Sequence, residues 1–102
     1  MNIVAGTTPT FEYTFSSIDV ANIVTAIFTI KQTEETVIEK SLSDAVVSEG
    51  KLSWTLSQAD TLLLSPLKTT SIYLDYVLND GTRGAGVTAA ATVLKAGKNE
   101  VI

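Results

Sequence analysis

The chain has 102 residues, 45% of them hydrophobic and 18% charged, the size and balance of one ordinary domain spanning 1–102. It contains neither cysteine nor histidine, which removes disulfides, thiolate metal sites, a Ser-His-Asp triad and a proton shuttle working near neutral pH; neither an enzyme nor a bound cofactor is expected. The net charge is −4, and the basic residues Lys31, Lys40, Lys51, Lys68, Arg83, Lys95 and Lys98 are scattered rather than gathered into a stripe, so nucleic acid is not an expected partner.

The opening residues 1–6 carry no basic group and too short an apolar run for a signal peptide. No stretch reaches the roughly 20 apolar residues of a membrane span, so the expected location is the cytoplasm, with no membrane partner. Thr, Val and Ile supply 33 residues, and β-branched side chains suit a pleated surface better than a helix. An all-β domain follows. Phe11, Tyr13 and Phe15 alternate with Glu12 and Thr14, which sets three aromatics on one face of a first strand. Residues 23–32 read as a longer second strand, with Val24, Ala26, Phe28 and Ile30 on its inner face. The polar run Thr33-Glu34-Glu35-Thr36 turns the chain into a third strand over 37–42. Glu49-Gly50-Lys51 makes the next reversal, between residues 45–47 and a strand in which Leu52, Trp54 and Leu56 alternate with Ser53 and Thr55.

Residues 57–64 break the period of two. Ser57 with Asp60 three positions on has the form of a capping box, opening a short crossover helix before Pro66. Ile72, Leu74, Tyr76 and Leu78 form the clearest alternating strand, and Asn79-Asp80-Gly81 signals a hairpin whose returning strand runs over 82–94. There Val87, Ala89, Ala91 and Val93 share a face, although Ala89-Ala90-Ala91 also suits a helix by propensity. Six to eight short strands at this spacing point to a small antiparallel, immunoglobulin-like β-sandwich. Its expected core is Phe11, Tyr13, Phe15, Phe28, Ile30, Leu52, Trp54, Leu56, Ile72, Leu74, Tyr76, Val87 and Val93.

Taken in order, Gly6-Thr7-Thr8-Pro9 before the aromatic strand, residues 29–32, Ile38-Glu39-Lys40, the Leu56-Ser57-Gln58-Ala59-Asp60-Thr61-Leu62 segment, Asp80-Gly81-Thr82 and the terminal Glu100-Val101-Ile102 resemble small tail-associated proteins of phages and prophages of Gram-positive bacteria. The layout is similar to the β-sandwich at the amino end of baseplate upper proteins. The resemblance covers nearly the whole chain through short motifs. It implies a virion structural or assembly role without a reaction, with other tail proteins or a second copy as partner, and it supplies no catalytic residue.

The residues point toward contact by another route. Ile23 and Ile27 oppose the apolar face of the second strand, so that strand is apolar on both sides and something should cover it. A loop, the 57–64 helix or another subunit would serve. Tyr73 and Val77 raise the same question opposite Ile72 and Leu74, and Tyr is enriched at binding surfaces. Ile23, Ile27, Tyr73 and Val77 are therefore the candidate interface. Trp54 is in phase with the core but, if exposed, would suit stacking on a sugar or a partner, which gives the alternative of a carbohydrate- or cell-surface-binding module. The remaining signals are weaker. Glu34 and Glu35 read as a solvated turn rather than an acid–base pair, Gly84-Ala85-Gly86 as a bulge or close approach rather than a phosphate loop, and Asp75, Asn79 and Asp80 as too few oxygens for calcium.

Overall fold

Alternation along the strands divides the chain into two facing layers. In the computed structural model, which describes residues 1–86 and 89–102, β2 (Thr10–Thr14) lies antiparallel to β6 (Lys51–Thr55), and β6 to β5 (Val46–Ser48), as a three-stranded sheet. The larger sheet runs in the order β1 (Asn2–Val4), β9 (Ala89–Leu94), β7 (Thr70–Leu78), β3 (Ile23–Gln32), β4 (Glu35–Ser41), with β8 (Arg83–Ala85) also paired to β7. Two short 3-10 turns, at Val20–Asn22 and Leu42–Asp44, and one helical segment, α1 (Gln58–Leu62), join them. The fold is all-β.

Aromatic side chains weld the layers together. Phe28 of β3 stacks on Trp54 of β6 with ring centroids 5.5 Å apart and meets Phe11 of β2 at 5.1 Å. Around them lie Ala26, Ile30, Leu52, Leu56, Ile72, Leu74 and Val93, all buried. Tyr13, Phe15 and Tyr76 pack against this cluster but remain partly exposed toward one side of the sandwich. Val87, also expected in the core, lies outside the described residues.

The sheets are not wholly antiparallel. β1 is an additional strand that runs parallel to β9, with Ile3 opposite Val93 and both side chains buried. The strand expected to return after Gly81 is divided: β8 pairs with the end of β7, and β9 with its beginning. Sheet pairing overrides the helical propensity of Ala89-Ala90-Ala91, whose side chains continue the in–out alternation.

A β-bulge corrects the phase of the second strand. Ile23 pairs with Leu78 but Thr25 with Val77, so one extra residue, Val24, is accommodated between them. Ile23 turns into the core at 6% exposure and Val24 turns out at 56%, the reverse of the strict alternation expected from sequence. The turn from β3 to β4 is two residues long, and Thr33 and Glu34 both hold positive φ, 52° and 67°. That is the backbone a tight hairpin needs, held here by two side chains that ordinarily avoid it.

Polar side chains lock the ends. The Ser57 hydroxyl accepts from Asp60 N–H while the Asp60 carboxylate accepts from Ser57 N–H, so α1 begins in a capping box. The Thr61 hydroxyl donates to Thr7 C=O at 2.7 Å and accepts from Gly6 N–H at 2.9 Å, which ties α1 to the segment between β1 and β2. Gln32, at the end of β3, grips the loop after α1: its amide donates to Ser65 C=O and the Thr70 hydroxyl and accepts from Ser65 N–H.

Candidate functional site

The outer face of the larger sheet is built by β4, β3, β7 and β8. Because Phe28, Ile30, Ile72 and Leu74 point inward, their neighbours Ile27, Thr29, Lys31, Tyr73, Asp75 and Val77 point outward. Cross-strand register gathers them: Thr29 lies opposite both Tyr73 and Glu39, Ile27 opposite Asp75, and Thr25 opposite Val77. Three of the four candidate interface residues, Ile27, Tyr73 and Val77, thus share one surface. Ile23 does not, because the bulge at Val24 delivers it to the core.

Tyr73 sits at the centre. Lys31 Nζ lies 5.5 Å from its ring centroid, a cation–π contact, and on the same face Arg83 Nη2 meets Asp75 Oδ1 at 3.4 Å. A depression of about 360 Å³ is lined by Ile27, Lys31, Glu39, Tyr73 and Arg83 among others, and a second, of about 260 Å³, continues past Tyr73 toward Thr33 and Thr69. Half-buried Ile27, Tyr73 and Val77 among threonines and charges of both signs make a mixed surface of the kind protein contacts use. α1 does not cover it, since its side-chain hydrogen bonds to other segments go to Lys40, Gly6, Thr7 and Ile102. Lys40 lies opposite Phe28, on the inner face. Lys31, Glu39 and Arg83 were not legible as members of this surface, because only cross-strand register brings them beside Tyr73.

The other chemical candidates are placed elsewhere. Trp54 is 1% exposed and its indole N–H donates to Ser41 C=O at 2.9 Å, so its ring is occupied within the core. Glu34 and Glu35 lie exposed at the β3–β4 hairpin. Gly84 and Gly86 permit close approach: a Cβ on Gly84 would collide with the Tyr76 ring, and one on Gly86 would lie 2.9 Å from Leu74. Asp75 is engaged by Arg83, while Asp80 accepts from Thr82 N–H, and this bond with a second from the Thr82 side chain holds the Asp80 carboxyl below its ordinary range. Among the described residues no group of three or more metal-ligating side chains converges. Nor is any helix among them long and apolar enough to cross a membrane.

Asp60 is a carboxylate set apart by its surroundings. Partial burial pushes its pKa up, but hydrogen bonds from Ser57 and Lys40, with the Lys40 charge 3.2 Å away, outweigh this and hold it below the usual range. Tyr13 moves the other way, its phenol raised by burial. Neither group faces the Tyr73 surface. No known protein-family model matches the chain, and no curated protein matches it significantly.

Proposed function

We propose that the protein is a non-enzymatic structural module that acts by protein–protein contact through the outer face of its larger sheet, in the assembly of a phage or prophage tail. The observation that carries the contact role is the uncovered Tyr73 surface, with Ile27 and Val77 in the same layer and charges of both signs around it. The tail assignment rests on the resemblance of the ordered motifs to tail-associated proteins. A second virion protein or a second copy of the chain docks there.

Light scattering on the purified protein, alone and with the products of neighbouring tail genes, tests this. The expected result is an oligomer or a stable complex that dissociates on Ile27→Lys or Tyr73→Lys, both tolerated by a fold that buries neither residue fully. A strictly monomeric protein that forms no such complex, with both variants indistinguishable from the parent, overturns the reading.

A further inference from the structure

The three-stranded sheet ends at β2, and the edge it leaves open carries a second recognition device, independent of the Tyr73 surface. Leu56 N–H donates to Pro9 C=O and Phe15 N–H to Gly50 C=O, so the odd-numbered residues of this segment direct their backbone groups at β6. The backbone N–H and C=O groups of Thr10, Glu12 and Thr14 therefore point sideways, away from β6. Among the described residues nothing pairs with them. Natural sheets usually blunt or cover such an edge.

Beside this edge the sandwich gapes. A cleft of about 650 Å³ separates β2 from β8 and β9, lined on its inner side by Phe11, Tyr13, Phe15, Ile72, Tyr76 and Ala89. The Tyr76 ring meets Phe15 edge-on at 5.4 Å and lies over Gly84, which has no side chain to obstruct it. Donors and acceptors repeating every second residue along an apolar trough specify an extended backbone, whose alternate side chains enter the trough while the others stay outside.

Charge selects the occupant. Glu12 stands at the middle of the edge, pointing outward, about half exposed and 3.4 Å from Lys51; among the described residues it is the only side chain of Asp, Glu, Lys or Arg type lining the cleft. Two copies paired antiparallel through all three edge residues would set Glu12 directly against its symmetry mate, in molecules that each carry −4. A foreign strand with a basic residue at that position meets no such repulsion. We infer that the β2 edge accepts an extended segment of a partner protein by strand addition, with apolar residues entering the cleft and a Lys or Arg beside Glu12.

The experiment titrates ¹⁵N-labelled protein with a capped heptapeptide of alternating valine and lysine. Amide shifts are expected to concentrate at residues 10–14, at Tyr76 and at Ala89. Methylating the peptide nitrogens that face β2 removes bonds without touching the protein, and should weaken binding at least about tenfold. The valine–glutamate peptide should bind less well than the valine–lysine one, and Glu12→Lys should reverse that order. Thr14→Pro removes an edge donor while sparing the bonds to β6, and should weaken binding severalfold. Undiminished binding of the methylated peptide, shifts centred on Tyr73, no binding, or β2 shifts that follow protein concentration without peptide would each overturn the inference. Because Ile27→Lys and Tyr73→Lys leave this edge intact, its failure is separable from that of the proposed function.

Discussion

Gln32 offers the sharpest test of how the sandwich is held shut. It is 3% exposed, and its side-chain amide makes three hydrogen bonds: to Ser65 C=O at 2.9 Å, to the Thr70 hydroxyl at 3.0 Å and from Ser65 N–H at 2.9 Å. Gln32→Leu keeps the volume but removes all three. The Thr70 hydroxyl retains Lys68 C=O as a partner and Ser65 C=O retains a long bond from Lys68 N–H at 3.5 Å, whereas Ser65 N–H loses its partner in a half-buried site. The orphaned N–H costs about 1–3 kcal/mol, and the bonds lost by Ser65 C=O and the Thr70 hydroxyl cost about 0.5–1 kcal/mol each. Burying leucine in place of a polar amide returns about 1–2 kcal/mol, leaving a net loss of about 1–2 kcal/mol. Urea unfolding followed by Trp54 fluorescence, with an unchanged slope, reads this directly, and the melting temperature should fall by about 5–10 °C. Gln32→Glu should cost more, since it turns an oxygen rather than N–H toward Ser65 C=O. A Gln32→Leu protein within about 0.5 kcal/mol of the parent would refute the idea that this grip fixes the loop between α1 and β7.

Other perturbations follow from the same geometry. Replacing Thr33 and Glu34 by Asn and Gly should raise stability by about 1 kcal/mol in the same urea assay, because both positions hold positive φ. Gly84→Ala should destabilise by about 1–3 kcal/mol by driving the Tyr76 ring off Phe15, and Tyr76→Leu in the same chain should recover part of that loss in a double-mutant cycle. Since the Asp60 carboxyl is held below its unfolded value, its stabilising contribution is present above about pH 4 and lost as pH falls through the lower folded value. Asp60→Asn should therefore flatten the acid limb of a stability–pH curve, with Lys40→Met acting in the same direction. Trp54 emission should be blue-shifted and resistant to acrylamide, and unchanged by added glycans.

Elements set by local physics are legible in the sequence. Phe11, Leu52, Trp54, Ile72 and Leu74 declare their face through period-two alternation within one strand, and all five are buried. Ser57 and Asp60 announce a helix start through chemistry that acts across three residues, and α1 begins there. Ile3 could not be read in the same way. Three residues give no measurable period, and β1 exists because a parallel partner about 90 residues away in the chain covers it. The division of the last strand is equally non-local, since β8 and β9 take their positions from different stretches of β7.

The candidate surface shows how a single inserted residue changes such a reading. Strict alternation assigns Ile23 and Ile27 to one face because they are four apart, and that remains true only while every residue advances the strand by one pairing step. At Val24 the strand bulges, so Ile23 joins Leu78 in the core while Ile27 stays with Tyr73 outside. The outward apolar layer is narrower than the sequence suggests, and it is bordered by Lys31, Asp75, Glu39 and Arg83, which lie far apart in the chain. A few half-buried apolar side chains among mixed charges favour a partner matched in charge pattern over indiscriminate hydrophobic association. Specificity at this face should therefore depend on Lys31 and Arg83 as much as affinity depends on Tyr73, because cross-strand register has placed both cations within reach of the same partner.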